Sequence, residues 1–329
     1  MELNPNLSVL LPVYNAEKYV FKSIESVLNQ SFSNFELIII NDCSTDNSEI
    51  EILKFEDKRI LYFKNSQNLK LIETLNFGLS IAQGKYIARI DADDICFPQR
   101  FEKQVAFLEN NVDYGLVGSF AETFGEKNEV LKYSEEDIDI RYGLLTHNPF
   151  VHSTIMLRSS ILSDFRLQYD KDQLHVEDYD LWIRMLKHCK GKILPEVLVE
   201  YRLHSEQVSK LFSNLQLKNV KNIQINYLIQ LGFHYHEIEI IHSLLNYLPL
   251  ENFRLIHLLG EIKSIGYKLP FVEKQKIFSK TLQRLIKNQL FDKKQFTLTE
   301  IILLTSKKEF TIKQKIAFLL KISFRHKIK

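Results

Sequence analysis

Three carboxylates stand within four residues at Asp91, Asp93 and Asp94, in the run IARIDADDICFPQRF. Carboxylates so close repel one another, and the repulsion destabilises the chain unless a cation lies among them. A hard divalent ion that also takes phosphate oxygens would relieve it. An EF-hand is the competing reading, because Asp91, Asp93 and Glu102 fall at its positions 1, 3 and 12. However, Cys96 stands where its glycine belongs and the apolar Ile95 stands at its fifth position, so a metal–diphosphate site is preferred. Two further polar turns follow apolar runs: Pro12-Val13-Tyr14-Asn15, and Asn41-Asp42-Cys43-Ser44-Thr45-Asp46. Taken alone, the second turn reads as a helix cap. A second acidic group, Glu177, Asp178 and Asp180, opens the segment EDYDLWIRM. In isolation Asp178 reads as a plain N-cap. The positive end of a helix there would favour its ionised form, a carboxylate able to accept a proton at neutral pH.

These turns need elements to hold them. Apolar runs predict strands at 7–13, 35–40, 60–63 and 86–90, and helical spacing predicts helices at 16–28, 69–82 and 101–108. Further strands are expected at 114–120, 154–157 and 193–201, with a helix at 178–188. Alternation of this kind implies an α/β fold with a mainly parallel, Rossmann-like sheet and helices on both faces. Ligands of such sheets sit at the C-terminal strand ends, where the three polar turns converge. Beyond about residue 207 the strand signals fade into helical Leu, Ile, Asn and Lys patterns. The expected domains are therefore 1–210 and a helical 211–329.

Composition narrows the classes. The 329 residues are 45% hydrophobic and 26% charged, ordinary for a globular chain. Lys and Arg total 43 against 41 Asp and Glu, for a net charge of +2, so no global charge favours nucleic acid. Only ten glycines occur, none before Gly78, and neither a dinucleotide fingerprint nor a P-loop is present. Three scattered cysteines predict no disulfide framework and fit a reducing compartment. The first residues lack the basic start of a secretory signal, and no apolar run approaches a membrane span. A cytoplasmic location is the expectation.

The ordered set LSVLLPVYN, ELIIINDCSTDNS, GKYIARIDADD, NPFVHSTIMLRSSIL, EDYDLWIRM and YRLHSEQVS, spanning about residues 7–210, resembles family 2 glycosyltransferases of the GT-A fold, bacterial surface-polysaccharide type. The resemblance implies an inverting transferase that uses a sugar nucleotide, most simply a UDP-sugar, and a divalent metal, Mn or Mg. It places Pro12, Tyr14 and Asn15 in the nucleotide-sugar site, with Tyr14 stacking on the base. It makes Asp42 the acceptor of the uracil N3–H and sets Lys70 near the base or phosphates. Asp91, Ala92 and Asp93 carry the D-x-D. Asp91 then serves the ribose side and the metal, and Asp93 is the direct metal ligand. Asp94 is a supporting group or a helix cap.

His204 falls near metal and diphosphate, with Arg202 able to pair with phosphate. Asp178 becomes the general base, with Glu177 as the alternative. His152 and Trp182 fall on the acceptor side, although a structural histidine is an equal reading of His152. Leu181, Trp182, Met185 and Leu186 also form the apolar stripe that anchors their helix. The family's usual D-D-G-S reads Asn41-Asp42-Cys43-Ser44 here, and a cysteine in place of glycine implies that this turn needs no positive φ.

The implied acceptor is a glycan or lipid-linked oligosaccharide. The last 29 residues hold eight Lys or Arg and one acid, beside an apolar stripe at Ile312, Ile316, Leu319 and Leu320. Such a segment could dock peripherally on an anionic inner leaflet; a helix packed on its own domain is the other reading. His234, His236 and His242 do not make a metal motif and read as a solvated face. Two rival functions remain: a degenerate scaffold subunit, and a sugar-1-phosphate nucleotidyltransferase. The second needs a Gly-rich basic loop where this chain has PVYNAEKY.

Overall fold

The computed structural model describes residues 5–204, 213–233 and 238. The chain divides into two compact units, Met1–Leu231 and Gly232–Lys329. The basic tail 306–329 and His234, His236 and His242 lie outside the described residues.

Nine strands form one mixed sheet: β1 (Leu7–Val13), β2 (Phe35–Asn41), β3 (Ile60–Lys64), β4 (Tyr86–Arg89), β5 (Ile95–Cys96), β6 (Tyr114–Gly125), β7 (Val130–Leu131), β8 (Met156–Arg158) and β9 (Lys190–Leu203). Their order is β3-β2-β1-β4-β8-β6-β9-β5, with β7 on β6. The half β3-β2-β1-β4 is parallel throughout. Beyond it β8 runs antiparallel to both β4 and β6, and β5 antiparallel to β9, while β6 and β9 are parallel. The mainly parallel sheet expected from the sequence is present, parallel throughout its first half and again along the long β6–β9 pair.

Every residue of β1 and β2 is buried, because helices cover both faces of the sheet. Successive strand side chains point to opposite faces. Leu7, Val9, Leu11 and Val13 join Val20, Ile24 and Val27 of α1 (Val20–Leu28) and Phe101, Val105 and Leu108 of α4 (Arg100–Asn110) in one core. On the other face α3 (Lys70–Ile81) comes so close that a Cβ on Gly78 would lie 3.0 Å from Ile40 and 3.1 Å from Leu10. Each fully buried Leu or Ile side chain stabilises the fold by about 1.5–3 kcal/mol, so these two faces fix the strand ends that carry the polar turns.

Helix α1 begins at Val20 rather than Ala16. The residues before it form a turn whose amides are taken by other side chains: Ala16 N donates to Ser48 Oγ at 2.7 Å and Glu17 N to Asp46 Oδ2 at 3.0 Å. Ser48 itself opens α2 (Ser48–Ile52). Similarly Thr154 belongs to a short 3-10 helix, His152–Thr154, which precedes β8. Completing the unit are α5 (Asp137–Gly143), α6 (Ser159–Asp164), α7 (Glu177–Met185) and α8 (Ser213–Gln230). The first unit runs past residue 210 to take in α8, whose Gln216 and Asn219 donate to the carbonyls of His175 and Leu174 and whose Ile223 and Leu228 are buried.

Candidate functional site

The polar turns after β1 and β2 are tied to each other. Asn15 N donates to Ser44 Oγ at 3.0 Å, and Asn15 Oδ1 accepts from Thr45 N at 2.8 Å. Tyr14, beside it at the end of β1, is 50% exposed and presents its ring to solvent, while Pro12 is buried in the strand. Asp42 is buried at the end of β2. Its Oδ1 accepts from Asn65 Nδ2 at 2.7 Å and Leu69 N at 2.8 Å, and its Oδ2 from Lys70 N at 2.9 Å. Lys70 thus meets Asp42 through its main chain, at a φ of 72°, and its side chain is exposed. Oδ2 keeps acceptor capacity for one further donor.

Cys43 corrects the expectation from sequence: its φ is 59°. The turn does require the left-handed region, and a cysteine occupies it at a cost of roughly 1–2 kcal/mol relative to ordinary backbone. Asn41 Oδ1, accepting from Ser44 N at 2.9 Å, helps to hold the turn in that shape.

The carboxylates of Asp91, Asp93 and Asp94 lie within 4.8 Å of one another. Each has its own partner. Arg89, with a side chain 3% exposed, pairs with both oxygens of Asp91. Ser153 Oγ donates to Asp91 Oδ2 at 3.1 Å and accepts from Asp91 N at 3.1 Å. Asp93 Oδ2 meets His204 Nε2 at 2.9 Å, and the carbonyl of Asp93 accepts from Arg202 Nε, also at 2.9 Å. That guanidinium lies between the rings of Tyr19 and Phe124, 4.4 and 4.2 Å from their centroids. Asp94 caps no helix; it is fully buried, and its Oδ1 accepts from Arg202 N at 2.8 Å. Its Oδ2 has no hydrogen-bond partner, nor has the buried Nδ1 of His204. Ala92 is buried between the two aspartates.

Burial and then the neighbouring aspartates push Asp93 above the usual carboxylate range, and Asp94 well above it. An orphaned buried carboxylate oxygen, crowded oxygens and an imidazole fit a hard divalent cation such as Mg or Mn.

The end of β4 is held from behind by Arg100. Its buried guanidinium donates to the carbonyls of Arg89 at 2.9 Å and Ile155 at 3.0 Å, and to Gln104 Oε1 at 3.2 Å. The D-x-D is thereby fixed to the 3-10 helix segment.

The second acidic group lies in the first turn of α7, where the N-cap is Val176 rather than Asp178. Asp178 Oδ2 accepts from Asn148 Nδ2 at 2.7 Å, and Oδ1 accepts from Tyr179 N at 2.7 Å. Its side chain keeps 17% of its surface exposed, enough to meet a ligand. Burial pushes Asp178 up to about 6, although Arg89 and the hydrogen bonds pull the other way. Desolvation outweighs any help from the helix end, yet a value of about 6 still leaves a carboxylate able to accept a proton at neutral pH. Glu177 is buried and is pushed to about 7, by desolvation first and by Asp178 second.

His152 Nδ1 stands 4.0 Å from Asp178 Oδ2, and its Nε2 meets the Tyr169 hydroxyl at 2.9 Å. Trp182 is fully buried and stands edge-on to His152 with ring centroids 5.8 Å apart. It supports His152 from the core and offers no surface to an acceptor.

The structure brings together Asp91, Asp93, Asp94 and His204, and separately Asp178, Glu177 and His152. Consecutive residues link the two sets: Ser153 contacts Asp91 and His152 faces Asp178. Sequence reasoning passed over Arg89, Asn148, Ser153 and Tyr169. A charge inside the apolar strand YIAR was a usable signal for Arg89; no local pattern marks the others.

Residues 8–177 match the family Glycosyl transferase family 2. An "Uncharacterized glycosyltransferase" of Haemophilus influenzae is 35% identical over 314 residues, covering 90% of this chain and 95% of its own length. The O-antigen biosynthesis glycosyltransferase WbnJ of Escherichia coli is 33% identical over 213 residues, covering 62% of this chain and 82% of its own. Among solved structures, S. aureus TarS 1–349 in complex with UDP-GlcNAc superposes with a TM-score of 0.59 at 17% identity, covering 86% of this chain and 81% of that one. The mannosyltransferase PcManGT of Pyrobaculum calidifontis, in complex with GDP-Man and Mn2+, gives 0.54 at 14% identity and covers 89% of both chains. The two structures establish the GT-A fold, and the match over residues 8–177 with the 35% relative establishes the lineage: the chain belongs to glycosyltransferase family 2.

Proposed function

We propose that this glycosyltransferase moves a sugar from a nucleoside diphosphate sugar, a UDP-sugar in the first instance, to a hydroxyl of a glycan or lipid-linked glycan, with inversion at C1. The observation that carries this reading is the joining of two carboxylate sets across one short 3-10 helix, Ser153 on Asp91 and His152 toward Asp178. One set suits the leaving diphosphate and the other suits the incoming hydroxyl. In the proposed reaction the acceptor oxygen attacks C1 as the C1–O bond to phosphate breaks. The hydroxyl proton passes to Asp178, which Asn148 and the Tyr179 amide hold in place.

A divalent cation held by Asp93 and Asp91, with His204 beside them, would supply positive charge to the departing diphosphate. Tyr14 offers an exposed ring for stacking on the base, and Asp42 Oδ2 offers an acceptor for its N–H. The uridine and guanosine donors bound by the two solved neighbours support the donor class, and the O-antigen relative supports a surface-polysaccharide acceptor. Docking of the basic segment 306–329 on an anionic leaflet belongs to the same proposal, and salt-sensitive co-sedimentation with anionic vesicles tests it.

The experiment for the reaction itself is mass spectrometry of products formed from a panel of UDP- and GDP-sugars with Mn2+. A β-linked product from an α-linked donor is the expected result. Retention of configuration overturns the single-displacement reading.

A further inference from the structure

The loop between α6 and α7 contains one residue whose placement is over-determined. Tyr169 is 2% exposed, and one side chain of α3 clamps its main chain in both directions: Asn76 Nδ2 donates to Tyr169 O at 2.9 Å, and Tyr169 N donates to Asn76 Oδ1 at 2.9 Å. The same helix begins at Lys70, whose amide sits on Asp42. Helix α3 therefore holds the nucleotide turn at one end and Tyr169 in its middle. From that clamp the Tyr169 hydroxyl reaches His152 Nε2 at 2.9 Å, and on the far side of the imidazole Nδ1 faces Asp178 Oδ2 at 4.0 Å.

The protonation states of the two groups limit these contacts to two directions, the phenol donating or accepting. Burial, with the charge of Arg89 adding to it, holds His152 well below the usual imidazole range, so the ring is neutral and carries one proton. Burial holds the Tyr169 phenol far above its ordinary value, so its oxygen keeps its hydrogen. A neutral imidazole that accepts at Nε2 must carry its proton on Nδ1, and which nitrogen is protonated is set by the bond the other one makes. An ionised Asp178 can only accept.

We propose that Tyr169 is a positioning residue for the base: its O–H donates to His152 Nε2, fixes the imidazole proton on Nδ1, and turns that N–H toward Asp178 Oδ2. The inference rests on Asp178 as the base. The charged and titratable groups around Asp178 are Glu177 and Tyr179 from its own helix, Arg89 and Asp91 from the end of β4, and His152 and Tyr169 from the two segments packed on it. Of these, His152 faces Asp178 with a ring nitrogen that is donor or acceptor at fixed charge, and Tyr169 sets which.

The test is the pH profile of kcat and of donor KM for Tyr169→Phe, which removes only the hydroxyl. The wild type, Asp178→Asn and His152→Asn are measured beside it. Without the fixed tautomer, ionised Asp178 loses a facing donor. Its acid limb should move to higher pH, lowering kcat several-fold, up to about tenfold per unit of movement, on the acid side. On the alkaline side kcat should recover toward wild type, with donor KM unchanged. His152→Asn keeps an amide donor near the Nδ1 position without a tautomer to fix, so adding Tyr169→Phe to it should change little further.

A uniform fall of kcat at every pH would mean that the hydroxyl only supports the fold and would overturn the inference. So would an unmoved acid limb in Tyr169→Phe while Asp178→Asn is inactive. Turnover retained by Asp178→Asn would overturn the base assignment and this inference together. Melting temperature and UDP calorimetry on each variant separate these outcomes from loss of folding.

Discussion

The two acidic groups of the site are built from the same side chains and set to opposite ends. At the end of β4, Asp91 and Asp93 are each met by a residue able to carry positive charge, Arg89 and His204, while Arg202 supplies an amide to Asp94 and a guanidinium to the carbonyl of Asp93. At the start of α7, Asp178 is held by neutral donors alone, the Asn148 amide and the Tyr179 N–H. A carboxylate among cations and other carboxylates belongs to a charged ligand. One desolvated and hydrogen-bonded by neutral groups, beside Glu177 and within the field of Arg89, is poised to exchange a proton near neutral pH. The difference lies in the directly bonded partners, because burial raises carboxylates in both places and Arg89 acts on both.

Removing the cation from the first group should have the largest effect. EDTA is expected to abolish turnover, Mn2+ or Mg2+ to restore it, and Asp93→Ala to remain inactive with either metal. Full turnover by metal-free protein would break the comparison at its first limb. Next in size, Asp178→Asn should lower kcat by at least ~10²-fold, the lower range for a lost general base, while UDP affinity by calorimetry stays near wild type. Asp42→Ala should do the reverse, raising donor KM and weakening UDP. Equal losses of UDP affinity in the two variants would mean that the groups are not separate.

A smaller effect is on pH. Only the ionised base accepts a proton, and Asp178 and Glu177 are pushed to about 6 and 7. The acid limb of kcat should therefore fall between about 6 and 7 and report the pair together; an exposed carboxylate would place it near 4.

The smallest effect sharpens the comparison through stability. A carboxyl whose folded value is raised binds its proton more readily in the native state, so its contribution is present at low pH and lost as pH rises through the folded value. Asp178→Asn removes that loss. It should raise the melting temperature most at pH 8, by roughly half as much at pH 5, and hardly at all below about pH 4. The gain is on the order of 3 kcal/mol at most, or several degrees for a unit of this size. No difference between these pH values in differential scanning calorimetry would show that Asp178 is not desolvated.

The sequence makes some of this visible and hides the rest for physical reasons. Strand β1 was legible to the residue, because a strand buried on both faces is a continuous apolar run ended by a polar turn. Asp42 and Asp178 were singled out by the family resemblance, since taken alone the turn at 42 and the start of α7 read as helix caps; only the crowding of Asp91, Asp93 and Asp94 was a local signal. The start of α1 was not: Asp46 and Ser48, about 30 residues away, take the amides at 16 and 17. Tyr169 was equally hidden, since nothing in its loop reveals that Asn76, 93 residues earlier, clamps it. Cys43 misled, because a glycine preference was read as a requirement, whereas a turn held by Asn41 and Ser44 tolerates the strain.

Strand β9 bears on how the site comes into being. Arg202 and His204 reach Asp94 and Asp93 across 108 and 111 residues of chain. During synthesis the parallel half of the sheet and its two helical layers can assemble while β9 is still unmade, leaving the three aspartates without Arg202 and His204. Closure of such distant pairs costs loop entropy and comes late in folding. A nascent or truncated chain ending before residue 202 would thus hold the three aspartates without two of the groups that surround them in the finished fold, and the site would be completed only when the last strand was in place.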